Sequence, residues 1–152
     1  MKLAEALQER ADLNRRIEQL RSRLDSNALV QEGEKPAEDP EQLLKELDGC
    51  TARLEQLMAS INRTNCETVV EGKTLTEMIA RKDALLLRLS VYRDLVNTAS
   101  QTARRATRSE IKILSTINVK QTQQMVDQMA KELRLLDNQL QQANWLTELI
   151  TQ

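Results

Sequence analysis

The sequence predicts a mainly α fold in which long antiparallel helices form a coiled coil or helical bundle, with a small two-stranded β element. Four segments carry apolar residues at alternating spacings of three and four, which is the pattern of a helix with one buried seam. The 152 residues include only three Gly and two Pro, and Leu, Gln, Glu and Arg, which favour helices, are frequent. We expect one helical domain over residues 1–152.

The first helix is predicted from about Lys2 to Ser26. Its seam consists of apolar residues broken once by Arg10: Leu3, Ala6, Leu13, Ile17, Leu20 and Leu24. A charged residue on such a seam either sets the register or oligomer state at a cost in stability, or extends its charged end into solvent. Lys82, on the seam of the third helix, leaves the same two alternatives open.

Residues 27–39 are predicted to form an acidic loop that joins two helices, because Gly33 and Pro36 interrupt every periodicity there. The second helix is predicted to begin at Pro40, with Asp39 as its N-cap. The apolar stripe of this helix ends at Ile61.

Two cysteines, Cys50 and Cys66, match no zinc or redox spacing. Cys50 continues the stripe of the second helix, so we expect it to be a buried free thiol.

Two stretches favour extended structure. Cys66–Val70 is short and β-branched, and Glu71 and Gly72 after it are typical of a turn. Alternating apolar residues predict a second strand over Ser109–Ile117. Because a strand needs a partner, we expect these two to pair, either within the chain or between subunits, in parallel or antiparallel orientation.

The third helix is predicted from about Leu75 to Arg104, and the fourth follows Asn118, its expected cap. The stripe of the fourth helix continues to Ile150, almost to the end of the sequence. Additional apolar residues on both helices suggest second contact faces: Ile79, Leu86 and Leu95 on the third helix, and Leu135, Leu146 and Leu149 on the fourth.

Composition argues against catalysis. The sequence has no His, which removes the commonest general base and the commonest metal ligand, and three Gly are too few for a glycine-rich phosphate loop. We therefore expect no enzyme activity, cofactor or metal. Arg104, Arg105 and Arg108 form the most concentrated basic cluster. These arginines either stabilise the carboxyl end of the third helix or contact a phosphate or an acidic partner.

The sequence begins without an apolar signal segment, and its apolar runs are far shorter than a membrane-spanning helix. We therefore expect a cytoplasmic protein. The formal net charge of -1 gives no general attraction to nucleic acid or to anionic membranes, so a nucleic-acid partner is not expected.

Several segments in combination resemble the septicolysin-like family of small bacterial proteins. They are MKLAEALQERADLNRRIEQLRSRL, QEGEKPAEDPEQLL, INRTN, TLTEMIARKD, SEIKILSTINV and ANW, and together they span nearly the whole chain. The family name implies a haemolysin-type, pore-forming activity. The resemblance carries no functional residues to this sequence.

The main functional hypothesis is a soluble, non-enzymatic helical protein that acts through self-association or through binding another protein, with a homo-oligomer as the expected state. The alternative, implied by the resemblance, is a cytolysin, for which a membrane would be the partner. A third hypothesis is a weakly nucleic-acid-associated factor that uses the Arg104–Arg108 cluster.

Overall fold

The computed structural model describes residues 1–102 and 111–151, and it is mainly helical with a small two-stranded antiparallel sheet, as predicted. The elements in chain order are α1 (Leu3–Asn27), α2 (Pro40–Glu67), β1 (Val69–Val70), β2 (Lys73–Thr74), α3 (Leu75–Ala99) and α4 (Val119–Leu146). The chain divides into two compact units. One contains Met1–Thr74 and the stretch from Ala143 onward, and the other contains Leu75–Gln142.

In the first unit, α1 and α2 form an antiparallel hairpin that three arginine–glutamate ion pairs bridge. Glu9 with Arg53 and Arg16 with Glu46 join the two helices, and Arg23 of α1 pairs with Glu38, which lies just before α2. The α1 members of the pairs, Glu9, Arg16 and Arg23, are seven residues apart, so all three lie on one side of that helix, beside the buried seam. We call these three pairs the ion-pair ladder. Its Arg53 guanidinium donates to both oxygens of Glu9, at 2.6 and 2.8 Å.

Under the ladder the two helices share an apolar core. Leu20, Leu43 and Cys50 are buried, and the flanking seam residues pack against them: Leu13, Ile17, Leu24 and Leu47. The prediction that Cys50 is a buried free thiol is confirmed, whereas Cys66 is free and exposed. Asp39 caps α2 as predicted, since its side chain accepts a hydrogen bond from the Glu41 amide at 3.0 Å.

Helix α2 continues past the end of its apolar stripe to Glu67, because a polar residue takes the next seam position. Thr64 is fully buried, and its hydroxyl donates to the carbonyl of Ser60 at 2.8 Å. The same oxygen accepts the amide N–H of Ile150 at 2.9 Å. Both hydrogen-bonding functions of the hydroxyl are therefore satisfied, so the helix buries it without the cost of an unpaired polar group.

Helix α4 ends at Leu146, although its apolar stripe predicts helix up to Ile150. The last residues instead lie extended beside the first ones. The Leu3 amide donates to the Thr147 carbonyl at 2.9 Å, and the Leu149 amide donates to the Met1 carbonyl at 2.8 Å. Backbone groups that would otherwise be unsatisfied after the helix end are paired in this way.

Three charged groups lie at this contact between the first and the last residues: the Lys2 ammonium, the Met1 amino group and the Glu148 carboxylate. The Lys2 ammonium lies 2.5 Å from the Glu148 carboxylate and 3.3 Å from the Leu146 carbonyl oxygen. Hydrogen bonds from Lys2 and from the amino group of Met1 lower the pKa of Glu148. The carboxylate therefore stays ionised where it meets these two cations.

The β element is a tight hairpin rather than a pairing of distant strands. Val69 lies opposite Thr74, and Val70 opposite Lys73. The two residues between them, Glu71 and Gly72, have φ values of 49° and 82°. Positive φ at both central positions is typical of the turns that match strand twist in two-residue hairpins.

Two strand predictions are therefore corrected. The first strand is shorter than Cys66–Val70, because α2 includes Cys66 and Glu67. The predicted strand over Ser109–Ile117 is wrong for residues 111–117, which are neither helix nor strand, and its first two residues lie outside the described part of the chain. The partner of β1 is only four residues away along the chain, so closing the local hairpin costs less chain entropy than pairing two strands separated by a whole helix.

In the second unit, α3 and α4 run antiparallel. Leu85 and Leu89 are buried against Val126 and Met129 of α4. The predicted cap of α4 is confirmed, because the Asn118 side chain accepts the Gln121 amide N–H at 3.0 Å.

The charged residue on the seam of α3 has a partner on α4. Lys82 forms an ion pair with Asp137, and Arg81 lies 3.2 Å from Glu132. Lys82 therefore occupies its seam position with its charge neutralised across the hairpin. Helix α3 ends at Ala99, five residues before its predicted end at Arg104.

Candidate interaction surface

Helix α3 carries apolar residues on two sides. One side packs on α4. The other is formed by Ala80, Ala84, Leu87, Val91 and Leu95, which we call the α3 outer face. With 100° of rotation per residue, the centre of the outer face lies about 140° around the helix axis from the centre of the buried side. The two sides cannot contact the same neighbouring helix.

The outer face is open to solvent. Leu87 is 70% exposed, Val91 58% and Leu95 43%, and both alanines are exposed as well. Single exposed apolar side chains are normal on protein surfaces, but a continuous stripe of them is typical of a binding surface. Here the spacings of four, three and four between Ala80, Ala84, Leu87 and Val91 repeat the pattern of a buried helical seam.

The other hairpin lacks such a face. Helix α1 has no large exposed apolar side chain and α2 has two, Leu44 and Met58, which are far apart. Helix α3 has five, namely Ile79, Leu86, Leu87, Val91 and Leu95. Helix α4 has four, namely Met125, Leu135, Trp145 and Leu146, so the exposed apolar side chains lie mainly on α3 and α4.

Of the three additional apolar residues predicted on α3, only Leu95 belongs to the outer face. Ile79 and Leu86 are exposed, but at 100° per residue they lie about 120–140° around the helix axis from the centre of that face. The centre is formed by Leu87 and Val91, which the sequence prediction did not include. The signal was present, because Ala80, Ala84, Leu87 and Val91 continue a second set of heptad spacings. Alanines at two of the four positions make that set easy to overlook.

On α4, two of the predicted second-face residues, Leu135 and Leu146, are exposed. The third, Leu149, lies beyond the helix and is half-buried. Its amide is held by the Met1 carbonyl rather than presented on a helical face.

Charged residues flank the α3 outer face unequally. Arg81 and Arg88 lie along one edge, and Asp83 lies along the other. Arg81 is occupied by Glu132 of α4, and the Arg88 guanidinium lies over the Tyr92 ring, 5.2 Å from its centroid. Within residues 1–102 and 111–151, neither Asp83 nor Arg88 forms an ion pair.

The arginine cluster proposed from sequence, Arg104, Arg105 and Arg108, lies outside the described residues. Its contact with a phosphate or an acidic partner stays a prediction.

Open grooves occur on the first unit. One of about 420 Å³ between α1 and α2 is apolar, and is lined by residues including Ile17, Leu24 and Leu44. Another of about 640 Å³ lies along α2, where Arg53 is already paired with Glu9. In the described part of the chain, no group of three or more His, Cys, Asp or Glu side chains is placed to hold a metal ion.

Among the helices that the structure describes, none combines the length and the apolar character needed to cross a bilayer.

A solved structure is similar to this chain over almost its whole length. It is described as a functionally unknown conserved protein from Corynebacterium diphtheriae, and it is 42% identical in sequence. The TM-score is 0.93, and the match covers 99% of each chain. Among proteins with a curated description, none matches.

A family model covers residues 10–149, and it describes DUF6847, a family of unknown function. The resemblance to the septicolysin-like family is therefore wrong, and the cytolysin alternative loses its only support. Heptad-patterned helices draw on the same few residue types in many unrelated proteins, so their segments resemble one another without shared descent. The chain belongs to DUF6847.

Proposed function

We propose that this protein is a non-enzymatic interaction protein that binds another protein surface through the α3 outer face. The observation that carries the proposal is a second apolar seam on a helix whose first seam is already buried against α4. The partner is either a second copy of the chain or a different protein.

Burial of this face supplies a driving force for binding. Covering a large aliphatic side chain is worth about 1.5–3 kcal/mol, and Leu87 and Val91 are both more than half exposed. Packing against α4 already orders α3, so docking does not require the helix to fold. A preformed apolar stripe of this kind is the usual anchor of helix-to-helix recognition.

The absence of His from the sequence supports a role without catalysis, since His is the side chain most often used for proton transfer near neutral pH. Binding needs only the shape and the apolar character of the outer face.

The direct test places a photo-activated cross-linking amino acid at position 87 in cells that naturally make the protein. We expect a covalent adduct on illumination, because the partner covers Leu87. The matched control carries the same amino acid at position 29, where the native leucine is 90% exposed but lies outside α3. The proposal fails if position 87 gives no adduct, or if both positions give the same adducts in equal yield.

A further inference from the structure

We infer that the partner of the α3 outer face is the same face of a second copy, with the two α3 helices parallel and in register. The inference rests on the proposed function and specifies its partner. It follows from the order of the apolar residues on the face and from the charges at its two edges.

The apolar residues occupy the core positions of a heptad repeat. Ala80 and Leu87 take the d positions, and Ala84 and Val91 take the a positions. In a parallel, in-register pair each of these residues meets its own copy. A β-branched residue at a with Leu at d favours two strands, which is the arrangement at Val91 and Leu87.

The edge charges attract each other in this arrangement. In a parallel pair, a residue at g faces the residue at e of the next heptad on the partner. Asp83 is at g and Arg88 is at e, so Asp83 lies opposite Arg88 of the partner subunit. Two-fold symmetry produces this pair twice. Both side chains are exposed and have no ion pair within the part of the chain that is described, and the Arg88 guanidinium lies over Tyr92 of its own helix.

The antiparallel alternative brings like charges together. In that arrangement e faces e and g faces g, with Ala80 opposite Val91 and Ala84 opposite Leu87. Arg81, which is paired with Glu132 of its own chain, then lies beside Arg88 of the partner subunit at both ends of the contact, while Asp83 faces a serine. Only the parallel alignment gives Asp83 a facing cation, so the edges favour it.

Acidic residues limit the contact to the segment between Glu77 and Asp94. These two residues occupy the next a and d positions beyond the apolar ones. Each meets a carboxylate in both alignments, so they do not discriminate between them. They do disfavour a parallel pair in which one α3 helix is shifted by one heptad relative to the other. That shift would place Asp94 against Leu87 and leave only two positions at which apolar residues face each other.

The test compares dimerisation of purified full-length variants by sedimentation equilibrium at micromolar concentration. For the wild type we expect a reversible dimer. Asp83→Arg and Arg88→Asp each place like charges at two symmetric positions, and we expect each to weaken dimerisation about tenfold. The double variant restores the attraction with its sign reversed, and it should return to within about threefold of the wild type.

The single variants also separate the two orientations. In an antiparallel pair, Arg88→Asp would place a carboxylate beside Arg81 of the partner subunit and tighten the dimer, while Asp83→Arg would have little effect. That result overturns the parallel inference. All substituted positions are exposed, and circular dichroism checks that the helical content is unchanged.

Disulfide trapping provides an independent geometric measurement. Ala80→Cys in a Cys66→Ser background should form a homodisulfide in the parallel pair, where position 80 meets its own copy. In the centred antiparallel pair the two copies of position 80 are about 16 Å apart along the axis, so no bond forms.

A wild-type chain that stays monomeric overturns the inference. If position 87 still forms an adduct with a different protein in cells, the proposed function stands and only the identity of the partner is wrong.

Discussion

The α1–α2 and α3–α4 hairpins each bury an apolar cluster, but they differ in what they leave exposed. Both are antiparallel and both bury a heptad seam of Leu with a few other apolar residues. The first hairpin is bordered by the three-pair ion-pair ladder, and α1 has no large exposed apolar side chain. The second has two ion pairs between its helices and a stripe of exposed Leu and Val on α3.

The difference shows that seam spacing alone does not report how many partners a helix has. A helix with one seam and charged flanks is satisfied by its hairpin neighbour, as α1 is by α2. A helix with two seams on opposite sides leaves one of them uncovered by its hairpin neighbour, as α3 does with α4. The search for a partner therefore begins at α3.

The largest expected effect tests whether the two cores are equivalent. Leu20 is fully buried in the first hairpin, and Leu89 is 2% exposed in the second. Replacing either by Ala leaves a cavity, and we expect each change to lower the free energy of unfolding by about 2–5 kcal/mol. Urea unfolding followed by circular dichroism measures both.

Leu29→Ala, at an exposed position, is the control and should change the stability by less than about 0.5 kcal/mol. A negligible effect of Leu89→Ala would show that α3 and α4 have no core of their own, and the comparison between the hairpins would no longer hold.

A smaller effect is expected at Thr64, which ties α2 to the last residues of the chain. Thr64→Val keeps the shape of the side chain but leaves the Ile150 amide N–H without an acceptor, so we expect a loss of about 1–3 kcal/mol in urea unfolding. Thr51→Val is the matched control. Its hydroxyl is exposed and bonds only to carbonyls of its own helix, and its loss should be nearly neutral. Equal effects at both sites would contradict the role of Thr64.

The smallest effect concerns the ladder. Glu9→Gln removes one Arg–Glu pair, and we expect a loss of about 0.2–1 kcal/mol that shrinks as salt rises. Arg81→Gln, which removes the more exposed pair with Glu132 in the other hairpin, should cost less. The reverse order would mean that the ladder does not distinguish the two hairpins.

Glu9→Gln should also change how the free energy of unfolding depends on pH in acid. The hydrogen bond from Arg53 lowers the pKa of Glu9 in the folded state below its ordinary value of 4.5. Its contribution to stability is therefore complete above pH 4.5, and it disappears as the pH falls through the lowered folded-state pKa. Glu9→Gln should flatten this part of the profile of unfolding free energy against pH, and an unchanged slope would contradict the assignment.

Much of the fold is predictable because its helices obey local rules. The start of α2 at Pro40 and the cap of α4 at Asn118 follow from side chains that bond to the first free amides. The failures have a different cause. Thr64 is buried on α2, where its hydroxyl bonds to the Ser60 carbonyl and to the amide of Ile150, a residue distant in sequence. No spacing rule reports such a contact.

The predicted strand over Ser109–Ile117 failed for a related reason. Alternation shows that a segment is able to present one apolar face in extended form, but a strand exists only when a partner supplies its hydrogen bonds. Of the candidate surface, only Leu95 is among the additional apolar positions that the sequence predicts. The stripe through Leu87 and Val91 has heptad spacing in the sequence, but that it is left uncovered follows only from the structure, which shows the other side of α3 packed on α4.

The seven-residue spacing of the ladder has a consequence for which length changes the protein tolerates. One residue inserted between Arg16 and Arg23 would rotate the part of α1 before the insertion by 100° relative to the part after it. The buried seam and the ladder residues on one part would then both lose their partners. The connecting segment 28–37 has no such constraint. Asn27 closes its base by accepting the Glu38 amide N–H at 2.9 Å, so added residues would extend the loop and leave both helices in register. Among relatives, insertions and deletions should therefore collect between the two helices and be absent within them.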